Sequence, residues 1–152
     1  MRGDIALFLG LVAIIGGGIV VAVFFIFGDS GGGGNNACDN ALAPLGASEI
    51  SQAGFQAEDV GLTRVIQAAT ARDLTAAEDA FFGDVHNFTH NVDPPIRAVN
   101  EGMAKDLCTT VIHIEEELAI DRRVNIIASD AARIRELLRD GAEALGYARP
   151  GG

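Results

Sequence analysis

Tryptophan is absent, tyrosine occurs once, and only two cysteines occur in the 152-residue chain. Two thiols are too few for a Cys-only zinc site or an iron–sulfur cluster, and they permit a single disulfide. Basic residues are scarce as well: 11 Lys and Arg stand against 21 Asp and Glu, for a net charge of −10. Such a surface repels phosphate, which argues against nucleic acid as a partner. The chain also lacks a CxxCH haem-attachment sequence, a glycine-rich phosphate loop and a GxSxG turn. Nothing brings a nucleophile, a base and an oxyanion site together, so the chain reads as a non-enzyme, and no motif calls for a cofactor.

Charged and polar side chains are missing altogether from residues 5–27, IALFLGLVAIIGGGIVVAVFFIF. About 23 residues at ~1.5 Å each span roughly 34 Å, enough to cross a ~30 Å hydrocarbon core with some tilt. A cleaved signal peptide has a shorter apolar region, and no small-x-small cleavage site follows this one at the right distance. A prepilin leader ending at Gly3 is disfavoured by the glycine run at 31–34, which breaks a long continuous helix. The expected element is an uncleaved transmembrane helix. Arg2 precedes it and no Lys or Arg follows until Arg64, so residues 1–4 belong on the cytoplasmic side and the rest outside. That places the chain in a bacterial plasma membrane as a single-pass protein with a periplasmic or extracytoplasmic domain. Ala6, Gly10, Ala13 and Gly17 form one stripe of small residues, a surface on which a second membrane helix can pack closely.

Residues 28–42, rich in glycine and asparagine, read as a flexible linker. Residues 43–147 follow with helical periodicity and no strand signal, and 148–152 read as a free tail. The expected fold class is all-α: a transmembrane helix followed by a small antiparallel bundle of about four helices. A weak first helix is expected over 57–71, with Val60, Val65 and Ile66 as its apolar positions. Thr75 and Glu78 resemble a capping box opening a second helix, lined by Leu74, Ala77, Phe81, Val85, Phe88 and Val92. Asn91 to Pro95 should end it, with Asp93 capping the next helix and Pro94 at its first position. Further stripes are Leu107, Val111, Ile114, Leu118, and then Val124, Ile127, Ala131, Ile134, Leu138, Leu145.

Cys38 and Cys108 are expected to form a disulfide closing a loop of roughly 70 residues, which the chain-entropy argument values at ~4 kcal/mol. A disulfide agrees with an oxidising compartment. His86 and His90 lie four apart on one side of the second helix, and Asp79 shares that side in a regular helix. Two imidazoles and a carboxylate can hold zinc or copper. The pattern is not a HExxH site, because Asn87 follows His86. His113, beside Asp106 and Glu117, reads as solvated, and Glu115-Glu116-Glu117 as a charged helix surface.

These features point first to a non-catalytic accessory subunit of a larger membrane complex, such as a respiratory or photosynthetic one, bracing its outer face. Its partners would be other integral membrane subunits through the small-residue stripe. A basic soluble protein is a further candidate partner for the acidic domain. The alternative is a tethered metal- or haem-binding module using His86 and His90.

Overall fold

The computed structural model describes residues 37–151. These belong to the second of two compact units, Gly34–Gly152. The expected membrane span at 5–27, its packing stripe and residues 28–36 of the linker lie outside the described residues. Among the described residues no helix is long and apolar enough to cross a membrane, and none forms a strand.

A 3₁₀ turn at Ala37–Asp39 leads into an irregular segment, after which five helices follow. Helix α1 is Gln52–Thr70, α2 is Leu74–Ala80 and α3 is His86–Val99, with a π-helical turn, Phe81–Val85, joining the last two. Helix α4 is Glu101–Glu116, extended by a second π turn at Glu117–Asp121, and α5 is Val124–Ala144. Because α2, the π turn and α3 are contiguous, the backbone forms four rods.

Helix α1 starts earlier than its apolar pattern suggested because Ser51 caps it, its hydroxyl accepting from the Gly54 amide at 3.2 Å. Its buried positions are Phe55, Leu62, Val65 and Ala69, and Val60 is turned to solvent at 51% exposure. The second rod is capped by Asp73, which accepts from the Ala76 amide at 3.0 Å, and not by Thr75. The expected stop at Asn91 to Pro95 does not occur, and α3 runs through both prolines to Val99. A proline inside a helix costs about 3 kcal/mol through a lost hydrogen bond and a steric clash. Here the apolar stripe Val85, Phe88, Val92, Ile96 continues straight through that point, and all four are buried. Tertiary bonds grip the same turn: Asp93, fully buried, accepts from the Leu42 amide at 2.9 Å and from Arg97 at 3.0 Å. The break comes instead at Asn100, in extended conformation, whose side chain caps α4 through the Met103 amide at 3.0 Å.

Side-chain pairings give the topology. Gly54 and Gly61 of α1 lie against Phe88 and Val85 of the second rod. His86 meets Glu115 of α4, while Arg97 lies at the Cys108 end. His113 and Asp106 of α4 face Asp130 and Arg133 of α5. Asp59 of α1 binds Arg135 and Arg139 of α5, and Gln52 pairs with Ala148 beyond it. Each neighbouring pair therefore runs antiparallel, and the first and last rods are also neighbours, which closes an up-down-up-down bundle. Its axis is filled by Phe55, Leu62, Phe81, Ile96, Leu107, Ile114, Leu118, Ile127 and Ile134.

The ends are fastened to this core. Cys38 and Cys108 form the expected disulfide, with their Cα atoms 5.7 Å apart. Residues 38–46 then lie along α3 as a strap, although the sequence placed the start of the domain near residue 43. Arg97 donates to the Cys38 carbonyl at 3.1 Å, and Asn91 exchanges bonds of 3.0 and 2.8 Å with the Leu45 backbone. At the other end, where a free tail was expected, the Ala148 amide donates to Gln52 at 2.7 Å and Arg149 pairs with Glu136 at 2.8 Å.

Candidate metal centre

His86 opens α3 immediately after the π turn, and His90 follows one helical turn later. Their rings touch, with centroids 4.6 Å apart, and His86 is also walled by the edge contact of Phe82 at 5.2 Å. Across the gap, α4 supplies Glu115, only 8% exposed. Its Oε1 lies 2.8 Å from His86 Nε2 and 3.3 Å from His90 Nε2. The ligand atoms of the three residues all fall within 4.8 Å of one another.

The strap completes the arrangement. The carbonyl of Ala43 lies 2.9 Å from His90 Nδ1 and accepts its proton, which aims Nε2 at Glu115. A backbone carbonyl on the far ring nitrogen is the support that orients metal-binding imidazoles in general. The sequence offered Asp79 as the third ligand, but Asp79 is exposed on α2 and takes no part in the cluster. The intervening π turn accommodates about one extra residue, which rotates the preceding part of the rod by about 100° relative to a regular helix.

Electrostatics bind the three groups to one another. Burial pushes the Glu115 carboxyl up, but the hydrogen bonds from His86 and His90 outweigh it and hold the group below the ordinary carboxylate range. Burial pushes His90 down, and the bonds to Glu115 and the Ala43 carbonyl more than reverse this. Both ring nitrogens of His90 lie within hydrogen-bonding distance of oxygen atoms, the Ala43 carbonyl and Glu115.

The donor set is two imidazole nitrogens and a carboxylate oxygen, with no thiolate, since both cysteines are consumed by the disulfide. In a tetrahedral zinc site with bonds of ~2.0–2.1 Å the ligand atoms stand about 3.3 Å apart. The two distances to Glu115, 2.8 and 3.3 Å, lie at or below that value. A haem does not fit between the histidines, because rings in contact along one helix leave no slot for a planar macrocycle.

The rest of the acidic run behaves differently from the expected charged surface. Glu117 is fully buried and is clamped by Arg123 through its guanidinium and its backbone amide. That hydrogen bond from Arg123, opposed by burial, lowers its pKa. Only Glu116 faces solvent. His113 is 46% exposed at its side chain, as expected, but it pairs with Asp130 at 2.8 Å and lies 3.7 Å from Glu117. Burial raises the Asp130 pKa, partly offset by His113. Compared with known proteins, the chain matches no family model, no curated protein and no solved structure. The chemistry of the site is therefore read from its own residues.

Proposed function

We propose that this chain is a membrane-tethered module that holds a divalent transition-metal ion, zinc or copper(II), on His86, His90 and Glu115. The observation that carries the reading is the convergence of three ligand atoms from α3 and α4 within 4.8 Å, with the Ala43 carbonyl orienting His90. Two imidazoles and one carboxylate suit borderline cations, and three protein ligands leave a position for water or an exchanging ligand. The ion competes with protons for these ligands, so affinity should fall in acid. The apolar run at 5–27 supports the tether, and the Cys38–Cys108 disulfide suits an oxidising compartment outside the cytoplasm.

A second reading, a non-catalytic accessory subunit bracing a larger membrane complex, is favoured by the stripe Ala6, Gly10, Ala13 and Gly17. One experiment weighs both. The full chain and its His90→Ala variant are purified in mild detergent, and metals and co-purifying chains are identified by mass spectrometry. The metal reading predicts about one equivalent of zinc or copper, retained through dialysis and lost from the variant. Metal contents equal in both proteins would overturn it. Stoichiometric partner chains without metal would favour the accessory reading in its place.

A further inference from the structure

The strap that orients His90 is the same segment that carries Cys38. Between the disulfide and Ala43 there are five residue steps, and each turn of α3 beneath them takes a bond. Arg97 holds the Cys38 carbonyl at 3.1 Å, Asp93 the Leu42 amide at 2.9 Å, His90 the Ala43 carbonyl at 2.9 Å, and Asn91 the Leu45 backbone. The disulfide is the only covalent link in this set. It fixes the start of the strap to the middle of α4, the helix that also supplies Glu115. Without it the strap is kept in place by hydrogen bonds, each of which contributes only modestly net of the water bonds it replaces.

We infer that the Cys38–Cys108 disulfide sets metal affinity at His86, His90 and Glu115 by holding the Ala43 carbonyl on His90, so that reduction by a dithiol loosens the site. This inference rests on the metal reading proposed above. The strap is the supporting shell of one ligand, and losing such support weakens metal binding by about 10–100-fold. In the reductive step a thiolate of the dithiol attacks one sulfur and the Cys38–Cys108 bond breaks, leaving a mixed disulfide. The second thiol of the reductant then displaces the protein sulfur. Two electrons and two protons end on Cys38 and Cys108, and the dithiol leaves as a disulfide. A groove of about 360 Å³ lined by Cys38, Asp39, Lys105, Thr109 and Ile112 lies beside the buried disulfide. Coupling is reciprocal: whatever factor the disulfide adds to metal affinity, the metal adds to the stability of the disulfide.

The test measures zinc affinity of the full chain in detergent micelles, by competition with a fluorescent chelator. Three forms are compared: oxidised wild type, the Cys38→Ser/Cys108→Ser variant, which mimics the reduced state without thiols that bind zinc, and Asn91→Ala with the disulfide intact. The double variant should bind about 10–100-fold more weakly than wild type, with far-UV circular dichroism unchanged. Asn91→Ala, which strips both bonds to Leu45, should weaken binding in the same direction. Affinities within about threefold of wild type in a folded double variant would overturn the inference and leave the metal site standing. Should the double variant not fold, zinc affinity of the wild type before and after reduction by a non-chelating phosphine decides, and equal affinities would overturn it. Absence of zinc binding by the oxidised wild type would overturn the metal reading itself, and this inference with it.

Discussion

Asp59 on α1 accepts from Arg135 at 2.9 and 3.2 Å and from Arg139 at 2.7 Å, tying the first rod to the last. Burial pushes its carboxyl pKa up, and the two arginines outweigh this, leaving it below the model-peptide value of 3.8. A carboxylate whose folded pKa lies below its unfolded one stabilises the fold above the unfolded value and loses that contribution as pH falls through the folded value. Replacing Asp59→Asn should cost about 2 kcal/mol at neutral pH, the worth of hydrogen bonds to a charged group. Urea denaturation across a pH series should show that cost shrinking in acid, and a cost constant with pH would assign it to packing. The same scale shows what could be read beforehand. The cysteine pair and the adjacent histidines were evident from composition and spacing. Glu115 and Glu117 were not, although helical geometry held the signal. At 100° per residue the two lie about 70–90° to either side of the Leu107, Val111, Ile114, Leu118 stripe, and only Glu116 points directly away. Three acids in a row look like surface until each is placed around the axis.

At the scale of elements, helix formation was readable and helix ends were less so. The stripes on α4 and α5 carry most of the buried residues they promised, with Leu107, Val111, Ile114, Leu118, Ile127, Ala131, Ile134 and Leu138 in the core, while Val124 and Leu145 at the ends are half-buried. The second rod was misjudged twice for one reason: local punctuation yielded to tertiary contacts. Asp93 and Pro94 form a valid cap sequence, yet Asp93 is spent on Leu42 and Arg97, while Val92 and Ile96 pull the turn into the core. The π turn at Phe81–Val85 leaves no composition mark, and it decided that Glu115 and not Asp79 would face the histidines. Close approach of rods depends on glycines that look unremarkable in sequence. A Cβ on Gly54 would stand 2.7 Å from the Glu49 carbonyl oxygen and 2.9 Å from Phe88, whereas one on Gly102 meets nothing nearer than 3.6 Å. Gly54→Ala should therefore destabilise by about 1–3 kcal/mol through overpacking. Gly102→Ala should stabilise by up to about 1 kcal/mol through helix propensity. Thermal melts of both variants check the pair, and equal effects would contradict the packing described for α1.

At the scale of the described unit, four rods close around an apolar axis, and the segments flanking them, 38–46 and 147–149, are fastened to it. The strap and disulfide hold one end, while Gln52 and the acids of α5 hold the other through Ala148 and Arg149. An all-helical bundle with one disulfide was readable because periodicity and cysteine count are properties of the chain itself. The strap was not, because its bonds use the backbone of 38–45 and any sequence can supply backbone groups. The proposed metal centre belongs to this scale too: it needs α3, α4 and the strap in register, and no single segment contains it. X-ray absorption spectroscopy of the zinc-loaded full chain tests it most directly. The account predicts one zinc per chain with only nitrogen and oxygen neighbours at about 2.0–2.1 Å, the outer-shell pattern of two imidazoles, and loss of that pattern in His86→Ala. A sulfur neighbour near 2.3 Å, or a spectrum indistinguishable from zinc in buffer, would contradict it.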